Sequence, residues 1–513
     1  MKKIVFRRLA FILVLALFFS CTSGCGEDEP ITFNSEVQFN YEGYASDDAE
    51  KLKNKILNSK NTEENYKITG KKYYVSSNGD DSNDGLSPKK PFKTLKNFED
   101  IVLSFGDAVL FERGSVFHMN DLIDVQLGTK NIITSKYGVI YGSYGEGDKP
   151  MIYASPMDYA KSQELWTKTK ENVWEADFKY QPACSIVFDY GREIGNLKHT
   201  KAVEQNEFGI NYFTESGELT DNGDFFHDYN KGKIYLYCDK GNPAEFYRSI
   251  EIAPAITIFK IEKLRSNVTI DNLCLKYAGF AIQATHSGEN FNITNCEIGY
   301  IGGRTTKKVR YGNAIEFYGK AINLKVENNW IYHTFDSAIT WQGSNSGKYS
   351  NVSFSGNLLE YNNCDIEFFE KNNAIIENFT MDNNIMRFTS IGWGTRDGIR
   401  GIEGCIRANI QTVKNIKNVS FCNNIIDCPA RQAINWKMTV DHLSNTKVSN
   451  NTVHIKKSYR EIYNAKSSVV TGVPDKDHET QEYKNIEIKD NESLATVWSH
   501  FNRDKTDKVN WYE

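Results

Sequence analysis

Val352-Ser-Phe-Ser-Gly-Asn357, Phe379-Thr-Met-Asp-Asn-Asn384 and Val419-Ser-Phe-Cys-Asn-Asn424 share one six-residue pattern, in which apolar and polar residues alternate for four positions before the segment closes on Asn. The pattern recurs at Val268-Thr-Ile-Asp-Asn-Leu273, Phe291-Asn-Ile-Thr-Asn-Cys296, Leu324-Lys-Val-Glu-Asn-Asn329 and Thr446-Lys-Val-Ser-Asn-Asn451, with a fainter copy at Ile486-Glu-Ile-Lys-Asp-Asn491. Alternation with a period of two marks a strand that buries one face, and Asn favours the turn that follows. The last residues of the seven clear copies are separated by 23, 33, 28, 27, 40 and 27 positions, so a base period in the twenties carries insertions in single turns. A unit this small cannot bury its own apolar face, and only stacking on its neighbours does so. Coils of this length with several short strands each describe a parallel β-helix whose equivalent Asn side chains stack from coil to coil. The expected fold is therefore all-β, a right-handed parallel β-helix (solenoid), with Asn329, Asn357, Asn384, Asn424 and Asn451 in one row.

Outward from the repeat, strand chemistry begins at Lys71. Tyr73-Tyr-Val-Ser-Ser-Asn-Gly-Asp-Asp-Ser-Asn-Asp-Gly85, Pro91-Phe-Lys-Thr-Leu95 and Gly106-Asp-Ala-Val-Leu-Phe-Glu-Arg-Gly114 resemble the opening of bacterial right-handed parallel β-helix proteins of the pectate-lyase-like superfamily. The resemblance implies the fold for most of the chain. It implies no single reaction, because that superfamily holds lyases, hydrolases, epimerases and noncatalytic adhesins. The acidic run from Asn78 to Gly85 suits Ca²⁺, but turn formation by Asn, Asp and Gly accounts for the same residues. The expected organisation is N-terminal coils over 71–155, an inserted β-rich subdomain over 156–250, the main β-helix over 251–455, and a C-terminal coil and cap over 456–513 containing Trp498 and Trp511. Aromatic hairpin patterns such as Asp228-Tyr-Asn-Lys-Gly-Lys-Ile-Tyr-Leu-Tyr237 mark the insertion.

At the N-terminus, Lys2, Lys3, Arg7 and Arg8 precede an apolar run from Leu9 to Phe19, too short to span a bilayer and suited to a signal peptide over 1–25. Small residues before Cys21 and Cys25 resemble the lipobox of bacterial lipoproteins. Gly26-Glu-Asp-Glu29 is similar to the acidic stretch of surface-exposed ones. The resemblance implies a lipid on Cys21 or Cys25 and an outer-membrane anchor at the cell surface. Residues 26–70 read as a polar tether with one short helix around Ala49 to Leu57. The other eight cysteines show no CxxC pair, which argues against zinc, and are expected in the core. The net charge of −5, with 61 basic and 66 acidic residues spread along the chain, excludes a phosphate-backbone footprint and with it nucleic acid. A monomer acting on a polysaccharide or oligosaccharide is expected.

A second aligned strand follows each turn: Ala281-Ile-Gln283, Ala314-Ile-Glu316-Phe-Tyr318, Ala338-Ile-Thr340-Trp-Gln342, Asp365-Ile-Glu367-Phe-Phe369, Cys405-Ile-Arg407-Ala-Asn409 and Ala433-Ile-Asn435-Trp-Lys437. With Ile inward, the outer face reads Gln283, Glu316, Thr340, Glu367, Arg407 and Asn435 on successive coils. A register slipped by one would instead turn Phe317, Trp341, Phe368 and Trp436 outward and expose the Ile residues. At about 4.8 Å per coil, Glu316 and Glu367 start about 10 Å apart. Side-chain flexibility brings such a pair to the roughly 6.5–9.5 Å of an inverting glycosidase, whereas a retaining pair needs about 5 Å. Arg407 would hold Glu367 ionised and leave Glu316 as the acid, with Asp336 as an alternative second carboxylate. Tyr318, Thr340, Gln342, Asn435 and Lys437 would line the groove. Insertions carrying Arg304, Arg310 and Arg396 would wall it, with Trp393 reading equally as a core plug.

Three functions suit this pattern. Hydrolysis by paired carboxylates, which needs no cofactor, stands ahead of elimination. Elimination would use Ca²⁺ on Asp365 and Glu367 and a base at Lys371, Arg407 or Lys437. The sequence lacks both the dense Asp cluster of several lyases and the Asn-Thr-Asp, Asp-Asp and Arg-Ile-Lys motifs of polygalacturonases. The third function is noncatalytic glycan binding or adhesion.

Overall fold

The computed structural model describes residues 41–126, 128–200, 202–262, 265–285, 288–306, 309–343, 346–395, 404–410, 412–437, 446–449, 451–456, 458–459 and 470–471. The chain winds through three parallel sheets in turn, making a right-handed parallel β-helix, the hand that a parallel crossover between twisted strands favours. The repeat segments form the ten-stranded first sheet, from Lys72–Val75 through Lys348–Ser355 and Ile375–Asp382 to Thr446–Ser449. The nine-stranded second sheet runs from Asn131–Thr134 to Val470–Thr471, and the nine-stranded third from Val116–His118 to Thr452–His454. Alternation fills the bore: Val352, Phe354, Phe379 and Met381 are buried in one continuous core with Phe317 and Trp341.

The Asn pairs make the turn. The first residue of each pair takes the left-handed conformation that Asn tolerates, with φ of 54° at Asn328, 59° at Asn383 and 56° at Asn423, and Gly356 replaces it at 63°. The second Asn is buried and stacked. Asn384 Oδ1 accepts from Asn357 N and Nδ2, both at 3.0 Å, while Asn384 Nδ2 donates to Phe354 O at 2.9 Å and to Asn424 Oδ1 at 3.0 Å. The same bonds join Asn329 to Asn357 and Asn424 to Asn451, so these buried amides are satisfied by identical partners one coil away. A further, exposed row joins Asn267, Asn290, Asn323, Asn351, Asn378 and Asn418 through single amide bonds of 2.7–2.9 Å.

The insertion lies between the strands Met151–Tyr153 and Thr257–Ile261 and is mostly antiparallel, with a five-stranded and a three-stranded sheet over its own core of Trp166, Phe178, Phe188 and Phe225. The eight cysteines from Cys184 onward are buried and free. The acidic run near residue 80 is a set of turns: Asp81 accepts from the N–H groups of Lys93 and Thr94, and Asp84 from that of Leu86.

Residues 41–70 differ from the expected tether. The helix Ser46–Leu57 buries Ala49 and Ile56 in a cluster with Met151, Trp330 and Leu358. Its apolar positions share one face, hidden in a Lys- and Asn-rich composition. Arg387 fixes this strap by bonding Glu360 and Asp427, each at 3.0 Å, and Ser46 Oγ at 2.9 Å. The signal segment, both candidate lipidation cysteines, Arg396, Trp498 and Trp511 lie outside the described residues. No helix among the described residues is long and apolar enough to cross a membrane.

Candidate active site

The second sheet carries the polar row. Its strands Phe280–Thr285, Ile315–Tyr318, Ser337–Gln342, Cys364–Phe369, Ile406–Asn409 and Ile434–Lys437 pair in parallel so that Gln283, Glu316, Thr340, Glu367, Arg407 and Asn435 occupy matched positions. Ile282, Ile315, Ile339, Ile366 and Ile406 are sealed in the bore, as are Phe317, Trp341 and Phe368, so the slipped register is not the one adopted. The described side chains of Gln283, Glu316, Thr340, Glu367 and Arg407 therefore share the outer face.

Two bonded groups make up the row. Lys260, at the matched position one coil before Gln283, donates to Gln283 Oε1 at 2.5 Å. Gln283 Nε2 in turn donates to Glu316 Oε1 at 2.9 Å, and Asn313 Nδ2 donates to Glu316 Oε2 at 2.6 Å. Asn313 Oδ1 accepts from Ser337 N at 3.1 Å, so both amides are oriented by their other bonds. Both carboxylate oxygens of Glu316 thus accept from an amide. In the second group, Glu367 accepts from Arg407 Nη1 at 3.0 Å, Ser337 Oγ at 3.2 Å and Thr340 Oγ1 at 3.3 Å.

This is not an open solvated face. Thr340 is 0 % and Glu367 5 % exposed, while Glu316, Arg407 and Gln283 are half-buried. The row that precedes it on the same face, Ala281, Ala314, Ala338, Asp365, Cys405 and Ala433, is covered on all six coils. The hairpin of Arg304–Thr306 and Val309–Tyr311 immediately precedes the Glu316 strand, and its base is pinched so tightly that a Cβ on Gly302 would lie 2.3 Å from Gly312 Cα. The row that follows carries Tyr318, Gln342 and Phe369 in register, all half-buried, and Lys371 Nζ lies 5.5 Å from the Phe369 ring centre. The two acids thus sit between a covered row on one side and two aromatic rings on the other.

Several expected site residues sit elsewhere. Asp365 does not open beside Glu367: its carboxyl is sealed, accepts from Asn362 Nδ2 at 3.0 Å and bonds the Thr389 hydroxyl, and burial pushes it up to about 8. Because Asp365 is sealed and Arg407 occupies Glu367, the two do not form a Ca²⁺ cradle, and no metal step is derived through them. Asp336 lies in the turn before Ser337, 6 % exposed, with its backbone bonded to Gly312 and Cys364. Arg304 and Arg310 are packed within the hairpin wall, over the rings of Tyr311 and Phe335, so their stems cover apolar surface instead of lining the floor. Trp393 is a plug, 4.8 Å from Phe335 and bonded through Nε1 to His333 O at 3.0 Å. Asn435 and Lys437 hold their register positions through the backbone.

Lys260 and Phe369 complete the site without having been singled out. Phe259 stands where later coils carry Ile, which hid Lys260 from the alignment, and burial lowers its ammonium below the usual lysine range. Glu370, pushed up to about 7 by burial, is 1 % exposed and sealed beneath Gly343 and Gly347.

No family model matches this sequence, and no curated protein is similar to it. Solved structures resemble it at low similarity. XylC, in a complex with xylose, is 12 % identical over 75 % of this chain and 76 % of its own, with a TM-score of 0.41. A rhamnogalacturonan lyase is 14 % identical over 79 % and 85 %, with a TM-score of 0.40. The family 28 exopolygalacturonase of Yersinia enterocolitica is 13 % identical over 82 % and 71 %, with a TM-score of 0.37. Likenesses at this level add nothing to the fold that the strands themselves define, and they assign no reaction.

Proposed function

We propose that this chain is an extracellular carbohydrate-active enzyme that cleaves glycosidic bonds of a polysaccharide, acting as a glycoside hydrolase through Glu316 and Glu367. The observation that supports it is their placement: same face, same row, two coils apart, with Thr340 between, Glu316 held by Gln283 from the coil before and Glu367 by Arg407 from the coil after. Two coils is about 10 Å, which suits inversion better than the roughly 5 Å of a retaining pair. Glu316 protonates the glycosidic oxygen as the bond to the anomeric carbon breaks. Glu367, paired with Arg407, takes a proton from the water that attacks that carbon on the opposite side. Tyr318 and Phe369 supply faces on which pyranose rings stack.

The second reading is elimination, and Lys260 favours it, because a half-buried lysine beside Glu316 is a fitting base for a proton next to a uronate carboxylate. A polysaccharide panel separates the readings. New reducing ends without absorbance near 235 nm support hydrolysis, and that absorbance supports elimination. Binding without either signal points to an adhesive protein and overturns both. The mature chain is a monomer held at the outer membrane by a lipid on Cys21 or Cys25. Mass spectrometry that finds no diacylated cysteine at either position would refute the anchor.

A further inference from the structure

A cavity beside the inserted subdomain shares no residue with the Glu316–Glu367 row. It has a volume of about 610 Å³, within the roughly 300–1,000 Å³ of small-molecule sites. One side comes from Val125 and Gln126 of the N-terminal coils, and the rest from the subdomain's edge strand Thr167–Lys170 and its neighbour Val173–Asp177 with the segments around them.

Its chemistry is two-sided. Met157, Leu165 and the half-buried ring of Tyr180 give apolar walls. The Tyr180 hydroxyl accepts from Asn120 Nδ2 at 2.7 Å, and the ring packs edge-on to Phe178 at 5.1 Å, so the aromatic face is held in place. Opposite chemistry comes from Lys233, which sits 3.1 Å from Glu175 Oε1 and 2.8 Å from Asp177 Oδ1. Lys179 Nζ lies 3.7 Å from the other Asp177 oxygen. A carboxylate offers about four lone-pair sites, so both acids keep acceptor sites beside the two ammonium groups. Lys233 also holds Asp177 below the usual carboxylate range, so this acid accepts hydrogen bonds and has no proton to give. The array is suited to binding and not to acid catalysis.

We propose that this cavity is a second, noncatalytic carbohydrate site that takes a neutral oligosaccharide of two or three units. A pyranose presents an apolar C–H face for Tyr180 and a rim of hydroxyls for Glu175, Asp177 and Lys233. Neutrality follows from the lining: three carboxylates (Glu164, Glu175 and Asp177) face two ammonium groups (Lys179 and Lys233), so an anionic sugar meets net repulsion. Placed on the insertion, the site would keep a polymer chain attached while the coils work on another part of it, which raises local substrate concentration.

The test is calorimetric titration of the full mature chain with xylotriose, cellotriose and maltotriose, and with trigalacturonate as the charged comparison. At least one neutral trisaccharide should bind. Tyr180→Ala and Lys233→Met should each weaken that binding at least tenfold, and Glu367→Gln should leave it unchanged. Should Lys233→Met lower the melting temperature, Tyr180→Ala alone decides. Absence of binding by every neutral trisaccharide, affinity unchanged in Tyr180→Ala, or tighter binding of trigalacturonate would each overturn the proposal. Loss of activity in Glu367→Gln with binding intact separates this site from the reaction proposed for the row.

Discussion

Arg407 Nη1 lies 3.0 Å from Glu367 Oε1, and the two residues occupy matched positions on neighbouring coils. Their side chains are 18 % and 6 % exposed, so the pair is neither a surface ornament nor fully interred. Arg407→Ala leaves a buried carboxylate at Glu367 without the Arg407 charge, whereas Glu367→Gln removes that carboxylate's charge and keeps an oxygen for the hydroxyl partners. Arg407→Ala should therefore be the more destabilising variant, by about 1.5–3 kcal/mol in urea unfolding, the range for a hydrogen bond to a charged group. Equal stability in the two variants would contradict that account.

For activity the order reverses. Glu316→Gln and Glu367→Gln should each lower kcat by about 10²–10⁴-fold with the fold intact by circular dichroism, because general acid or base work contributes that much. Arg407→Ala should cost less and move the pH profile. Near wild-type rates in both glutamine variants would shift attention to Asp336.

The Asn row makes a stability prediction that is independent of function. Asn384→Leu strands the Asn357 N–H and one Nδ2 hydrogen, the other staying on Val326 O, and each stranded buried donor costs about 1–3 kcal/mol, so the loss should be at least about 2 kcal/mol. Asn378 in the exposed row has a φ of 52° and one neighbour bond on each side, and Asn378→Gly should stay within about 0.5 kcal/mol. Similar losses at both positions would show that burial does not distinguish the rows.

Much of this architecture is legible in the chain because a solenoid repeats its local rules. The inward Ile and the closing Asn recur often enough to set register, and register alone orders Gln283, Glu316, Thr340, Glu367 and Arg407. The legible part ends where the repeat does. Lys260 is concealed by a Phe in the Ile position. Asp365 shares a face with Glu367 by alternation, yet Thr389, 24 residues on, closes over it along with the local Asn362, and the Thr389 contact is one that no local period encodes. The strap helix is masked by composition, since few apolar residues suffice when they share one stripe.

Asp365 supplies the pH test. Its carboxyl is pushed up to about 8 when folded, against about 3.9 in an unfolded chain. Between those values the folded protein holds a proton that the unfolded chain has released, so this group makes stability fall as pH rises across that window and contributes no slope outside it. Asp365→Asn resembles the protonated side chain and can still bond Thr389, so its stability should fall less than the wild type's between pH 5 and pH 8. Parallel urea midpoints for the two proteins over that range would rule out a protonated Asp365.

Tyr318 and Phe369 are predicted to bind without reacting. They follow the acids on the same face, and a stacking contact holds substrate and transition state alike, so Tyr318→Ala and Phe369→Ala should raise KM about tenfold and leave kcat within about twofold. A kcat loss as large as that of the Glu variants would place these rings in the reacting centre.

Lys260 decides between the two reactions. In hydrolysis it acts at a distance, orienting Gln283, whose amide bonds Glu316; in elimination it takes the proton itself. Lys260→Met keeps the length of the stem and removes the ammonium. Under hydrolysis the Gln283 amide loses one anchor and still reaches Glu316, so kcat should fall by no more than about tenfold, with a shift in the pH profile as the charge near Glu316 disappears. Under elimination the variant has no base, and the loss should approach the 10²–10⁴-fold attributed to such groups. Lys260→Arg separates charge from basicity: it restores the cation but does not deprotonate near neutral pH. Recovery of activity in Lys260→Arg therefore supports orientation and hydrolysis. Its failure, together with absorbance near 235 nm in the wild type, would make Lys260 the base and elimination the reaction.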